Sequence, residues 1–200
     1  MNKDYFEKKS GDYEKDTNRV DNVTNIADSI RQVIPLNKSM HIMDFGSGTG
    51  LLLEKIAPFV GKITAVDISE SMNRELSSKR EKIECQLEII EKDLSKSKLD
   101  RKFDGIISSM TMHHIEDIQQ MFNNFQGMLN KNGFIAIADL DSEDGTFHTE
   151  DTGVFHFGFD RNEFLDYAKK AGFSNLKITT ASTAYKPYGS YPVFLLTGNK

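Results

Sequence analysis

The segment His41-Ile-Met-Asp-Phe-Gly-Ser-Gly-Thr-Gly50 constrains the fold more than any other. A short apolar run ends on an aspartate and passes directly into alternating glycines, then into the apolar Leu51 to Ala57. That order suits a buried strand that turns sharply into a helix. Gly46 allows the tight turn, and Gly48 lets the backbone approach a ligand closely. The helix beyond offers unpaired N–H groups at its start.

From there the chain alternates. Ile63–Asp67 reads as a strand, and Ser69 to about Lys82 as a helix with Ser69 as N-cap. Leu87–Glu91 and Phe103–Ser108 read as strands. Ile118, Met121, Phe122, Phe125 and Leu129 mark one helix face, which Asn130 to Gly133 terminates. Phe134–Ala138 is an unbroken apolar run, as for a central strand. This rhythm predicts right-handed crossovers and a doubly wound, mostly parallel α/β sheet.

Both ends depart from the rhythm. Residues 1 to about 20 are polar, with Tyr5, Phe6 and Tyr13 as large anchors, before an amphipathic helix carrying Val23, Ile26, Ala27, Ile30 and Val33 that Pro35 stops. Asp141 to Phe159 is acidic and glycine-containing and carries His148 and His156. Asp160 and Glu163 resemble a capping pair for a helix that Gly172 closes. Leu176–Thr180 and Val193–Thr197 read as strands joined through the turn residues Lys186–Ser190, hence an antiparallel hairpin.

Composition narrows the class. Two hundred residues suit one domain, and 14 Phe within a 38% apolar chain support a packed core. The net charge of -5 argues against sequence-independent nucleic-acid binding, which needs cations to neutralise phosphates. Cys85 stands alone, so neither an intrachain disulfide nor a cysteine-rich zinc site is expected. No segment approaches the roughly 20 apolar residues that span a bilayer. The start of the chain lacks an apolar stretch of signal-peptide length, so the expected location is the cytoplasm.

A glycine loop alone is a weak signal, but acids accompany it. Asp67, at the tip of the next strand, can accept hydrogen bonds from both hydroxyls of a ribose. Its alternative role is that of a helix-capping or solvated aspartate. Asp93 follows the third strand, where a carboxylate can accept from an adenine amino group while Ile68 and Leu94 sandwich the ring.

Together these residues resemble the class I S-adenosylmethionine-dependent methyltransferases. Asp44 to Gly50 looks like that family's D-x-G-x-G-x-G motif, Asp67 like its ribose-binding acid, and Asp93 like its adenine-side acid. Phe103 to Asp117 is similar to its fourth motif, and Leu129 to Phe134 to its fifth-strand entry. Within the family the small-molecule branch with the ubiquinone and menaquinone methyltransferases is the most similar, on the His113-His114 pair and the Tyr5-to-Tyr13 preface. The resemblance implies seven strands with one inserted antiparallel, and S-adenosylmethionine as cofactor. The residues it assigns to the cofactor are Asp44, Gly46, Ser47, Gly48, Gly50, Asp67, Ile68, Met72, Asp93, Leu94 and Ser109. A nicotinamide dehydrogenase would need glycine at position 51, where Leu51 stands.

The expected reaction is in-line methyl transfer to a small molecule, with no nucleic-acid partner. The alternative is a non-catalytic cofactor-binding module acting through a partner. Candidate bases are His114, His148 and His156, with His113 structural. Phe147, Phe155, Phe157 and Phe159 are candidates for an apolar pocket. His148 and His156 with Asp139 or Asp141 lack a compact ligand spacing, so no metal is assigned. The expected organisation is an N-terminal helical cap over 1–38, then a cofactor-binding domain over 39–200 with a substrate-side insertion at about 141–159. The cap serves either as a lid, with Tyr13 reaching the site, or as a helix packed on the sheet edge.

Overall fold

A computed structural model describes residues 4–150 and 152–200. Residues 1–3 of the expected cap, and Asp151 of the expected insertion, lie outside the described residues. The strands are β1 (His41–Phe45), β2 (Lys62–Asp67), β3 (Gln86–Glu91), β4 (Phe103–Ser109), β5 (Leu129–Leu140), β6 (Ser174–Lys186) and β7 (Gly189–Asn199). The helices are α1 (Thr17–Val33), α2 (Leu51–Ile56), α3 (Glu70–Ser78), α4 (Ile118–Met128) and α5 (Arg161–Lys170).

The strands form one sheet in the order β3-β2-β1-β4-β5-β7-β6. Pairing is parallel from β3 to β5, and β7 enters antiparallel between β5 and β6. The expected doubly wound sheet with an inserted antiparallel strand is therefore present. Its middle strands are apolar on both faces because helices cover both. On one side Ile26 and Ile30 of α1 pack with Leu53 and Ile56 of α2; on the other Phe122, Phe125 and Phe164 pack with Phe194. Each such fully buried side chain stabilises the fold by roughly 1.5–3 kcal/mol.

Helix starts follow the local chemistry. Asp16, Ser69, Asp117 and Asp160 each accept a backbone N–H within the first turn that follows. Glu163 does not complete a capping box, because its carboxylate accepts instead from the Tyr167 hydroxyl at 2.8 Å.

Two boundaries differ from the sequence reading. Asn130 to Gly133 does not form a separate terminating loop: β5 begins at Leu129, directly after α4. Buried Leu129 pairs with Phe103, and an irregularity holding Asn132 at φ 66° takes up the extra residues before Phe134 meets Gly105. The terminal hairpin is also much longer than the two apolar runs predict. β7 leaves β5 at Val193, while β6 and β7 stay paired out to Lys186 and Gly189. The hairpin therefore overhangs the edge of the sheet where β1, β4 and β5 end.

Candidate active site

A cleft of about 1250 Å³ opens at the carboxyl ends of the parallel strands. The glycine loop, the tips of β2 and β3, the turn after β4, the insertion and the hairpin overhang all line it. Open α/β sheets place ligands at this edge.

At the loop, the Gly46 N–H donates to the Val66 carbonyl at 2.8 Å, tying β1 to β2. Gly46 holds φ +67°, and a Cβ there would lie 2.2 Å from Thr111, so the turn after β4 packs directly on it. Gly48 holds φ +52° with nothing within 4 Å of a Cβ position, which leaves its backbone open. Gly50, left-handed at φ 94°, is the residue before α2.

Asp44 is 1% exposed, and its Oδ2 has no hydrogen-bond partner among the described residues. Burial, reinforced by Asp67, pushes its pKa up to about 8. Ser47 Oγ, Thr49 Oγ1 and Ser109 Oγ are buried and unpartnered around the same loop. Buried polar atoms are normally paired, so four orphans lining one loop mark a place built for a polar ligand. A cation suits Asp44 best, because it would relieve the burial cost of the carboxylate.

Asp67 accepts the Gly48 N–H at 2.8 Å and the Ser69 N–H at 2.9 Å, one on each oxygen. Burial raises its pKa, against the pull of those N–H groups and that of Ile68. Asp67 does not cap α3; Ser69 does, through the Met72 N–H at 3.1 Å. Met72 is buried beside the cleft.

Asp93 stands at the rim but is committed to its own turn. It accepts the Ser95 N–H and hydroxyl and pairs with Lys96 at 2.9 Å. Burial raises its pKa, yet Ser95 and Lys96 outweigh this and hold it below the usual range. The expected sandwich of Ile68 and Leu94 is unequal: Ile68 is 61% exposed, whereas Leu94 is buried in the cleft wall.

The N-terminal segment supplies a contact without a sequence signature. The Asp4 carboxylate accepts from the Ser69 hydroxyl at 3.0 Å, the Ser71 N–H at 3.2 Å and the Phe6 N–H at 3.0 Å. Phe6 then meets the His114 ring edge-on at 5.9 Å. Tyr13 lines the cleft; burial, with Asp67 adding to it and Arg19 opposing, raises its hydroxyl pKa. Asp4, Tyr5, Phe6, Lys9 and Tyr13 line the cleft, as do Asn18, Arg19, Asn22 and Val23 at the start of α1, which also packs on β6 and α2.

Three histidine rings gather below that segment, with centroids 4.4 Å (His113–His114), 5.1 Å (His113–His148) and 5.9 Å (His114–His148) apart. His113 is buried against Asp139. His114 donates from Nδ1 to the Gly153 carbonyl at 3.3 Å. Burial and the neighbouring His113 lower its pKa to about 4. His148 Nδ1 contacts the Thr152 hydroxyl at 3.1 Å, and its buried Nε2 has no partner among the described residues. Burial first, then His113, His114 and Lys186, lower its pKa to about 3. Both rings are neutral near pH 7.

His156 corrects an expectation. It stands outside the cleft lining, its Nε2–H donated to the Ile115 carbonyl at 2.9 Å and its ring packed on Phe159. Phe147 and Phe155 line the cleft, but Phe157 does not, and Phe159 is buried against Phe164. Asp141 forms a two-point pair with Arg161. No group of three or more His, Cys, Asp or Glu among the described residues is placed to hold a metal ion. No helix among them is long and apolar enough to cross a membrane.

Comparison with known proteins adds a second line. A methyltransferase domain family matches residues 19–178. An uncharacterized methyltransferase of Schizosaccharomyces pombe is 30% identical over 156 residues, covering 70% of this chain and 55% of that protein. A ubiquinone biosynthesis O-methyltransferase of Coxiella burnetii is 32% identical over 118 residues, covering 56% and 47%. The chain thus spans about half the length of these curated relatives. Among solved structures, the Haemonchus contortus phosphoethanolamine N-methyltransferase 2 in complex with S-adenosyl-L-methionine aligns at TM-score 0.69 and 16% identity, covering 88% of this chain and 52% of that one.

Proposed function

This chain belongs to the methyltransferase domain family, and on that premise we propose that it transfers a methyl group from S-adenosylmethionine to a small-molecule acceptor. The observation that carries the reading is the buried, unpartnered Asp44 Oδ2 beside the open backbone of Gly48. The cofactor's methionine ammonium is the cation that this carboxyl lacks. Family relatives with methyltransferase names support the reaction class.

When bound, the cofactor supplies an activated sulfonium methyl for in-line displacement. The chain's own residues bind and orient. Asp44 holds the ammonium, with the hydroxyls of Ser47 and Ser109 as nearby polar partners. Asp67 keeps lone pairs free for ribose hydroxyls, since each oxygen accepts one backbone N–H. Ile68, Met72 and Leu94 border the adenine side, with Asp93 at its rim. Gly46 and Gly50 shape the loop.

His148 presents an unpartnered Nε2, which serves as the base in the tautomer whose Nδ1–H is donated to the Thr152 hydroxyl. His114 positions it from the side. Residues 4–15 and the insertion roof the cleft, which excludes water and favours a small acceptor over a polymer.

Calorimetric titration with S-adenosylmethionine and S-adenosylhomocysteine tests the reading. Micromolar binding that weakens strongly in Asp44→Asn and Asp67→Ala is expected. A folded protein with no binding at millimolar cofactor overturns it. Transfer of a labelled methyl to a fractionated metabolite pool then separates an enzyme from a module that only binds.

A further inference from the structure

Among the cations that line the cleft, Lys9, Arg19 and Lys186 come from the N-terminal segment, α1 and the end of β6. Two of these cations are already paired: Lys9 with Glu150 at 2.6 Å, and Arg19 with Asp16 at 3.5 Å and the Tyr13 carbonyl at 2.5 Å. Among the described residues the Lys186 ammonium forms neither an ion pair nor a hydrogen bond. It rests only against the Phe147 ring, 4.9 Å from the centroid.

Lys186 owes its position to the hairpin overhang. It is the last residue of β6, which runs parallel to β5, so it emerges at the ligand-binding edge. The Tyr188 hydroxyl donates to the Phe147 carbonyl at 3.2 Å, and the Tyr191 and Thr146 hydroxyls meet at 2.7 Å, which clamps the insertion to the overhang. Phe147 in turn lies 4.8 Å from the His148 ring. An uncompensated ammonium therefore stands one aromatic ring away from the unpartnered imidazole nitrogen.

Half-buried without a counter-ion, this ammonium is held at a cost. Burial first, then Arg19, keep its pKa below the ordinary lysine range, with Asp16 opposing and Lys9 adding a smaller push in the same direction. An arriving anion would remove that cost.

We infer, on the reading that this cleft methylates a small molecule, that the acceptor bears a carboxylate which Lys186 binds, with Phe147 and Tyr188 against its apolar part. One uncompensated cation matches one negative charge, which favours a carboxylate over a phosphate monoester. The carboxylate is an anchor, and the atom to be methylated lies toward His148.

The test uses the protein saturated with S-adenosylhomocysteine and three probes: trans-cinnamate, trans-cinnamamide and phenyl phosphate. Cinnamate is expected to bind at least about tenfold more tightly than its amide, as for a charge-assisted hydrogen bond. Lys186→Met should reduce that preference to within about twofold, Lys186→Arg should retain it, and both should bind S-adenosylhomocysteine like the wild type. Cinnamate binding no better than the amide, or a preference that survives in Lys186→Met, overturns the inference. Preference for phenyl phosphate over cinnamate overturns the carboxylate assignment in favour of a phosphate source. Wild-type protein that does not take up S-adenosylhomocysteine overturns the cofactor reading itself, whereas uptake without any preference for the anion overturns this inference alone.

Discussion

His113 Nδ1 lies 2.7 Å from Asp139 Oδ1, and both side chains are sealed from solvent. The pair clamps the turn after β4 to the end of β5. Asp139 also accepts the backbone N–H groups of Leu140 and His113. Burial works against its charge, but His113 and these N–H groups hold the carboxyl below its usual range. Removing the acid leaves several buried donors unpaired. Asp139→Ala is expected to cost about 3 kcal/mol or more in urea unfolding, and a loss under about 1 kcal/mol would contradict the clamp.

Asp44 predicts a proton released on cofactor binding. With its pKa pushed up to about 8, the free protein carries this group mostly protonated at neutral pH. An ammonium favours the carboxylate, so binding at pH 7 should release close to one proton, and little at pH 9. The dependence of the observed enthalpy on buffer ionisation measures this, and Asp44→Asn should abolish it. The sign for stability follows from the raised folded value. The group's contribution is full below the unfolded pKa and is lost as pH rises through about 8.

Gly46 and Gly48 should respond differently to alanine. Gly46→Ala drives a methyl into Thr111 at a positive φ and should destabilise the fold by about 2 kcal/mol or more. Gly48→Ala meets no neighbour, so it should cost only about 1 kcal/mol of backbone strain. Its larger effect should be on cofactor affinity. Equal thermal shifts for the two variants would contradict the packing described.

His114 and His148 make stability depend on acid. Their folded pKa values of about 4 and about 3 lie below the ordinary 6.5. Their contribution is therefore present above pH 6.5 and is lost as pH falls toward 4 and 3. Proton NMR titration should find both rings neutral at pH 5.5. Midpoints near 6.5 would show them solvated instead of enclosed.

Asp4→Ala removes the acceptor for Ser69, Ser71 and Phe6. Amide exchange should accelerate across residues 4–15 while β1 and β4 stay protected. Unchanged exchange there would mean that Asp4 does not hold the segment down.

The readable parts of this protein were those in which one local rule sufficed. His41–Phe45, Lys62–Asp67 and Gln86–Glu91 are compact apolar runs, and their boundaries matched the periodicity to within a residue. The apolar runs underestimate the hairpin because residues 181–186 alternate in burial but bury only Ser182 and Ala184, whose small side chains carry little apolar signal. Asp93 was legible as an acid at a strand tip, but its engagement with Ser95 and Lys96 was not. His156 looked equivalent to His148 until the insertion folded, turning one ring to Ile115 and leaving the other beside the cleft.

By itself the sequence determined the glycine turn, the order of strands and helices, and the acids at the strand tips. Those properties arise from φ preferences and from apolar spacing between near neighbours in the chain. Only the tertiary structure decided that Asp4 reaches Ser69, that His113 meets Asp139, and that Lys186 stands beside Phe147. These partners lie between 26 and 65 positions apart in the chain. No local preference encodes such meetings, and they form only when the packed sheet brings separate loops to the same edge.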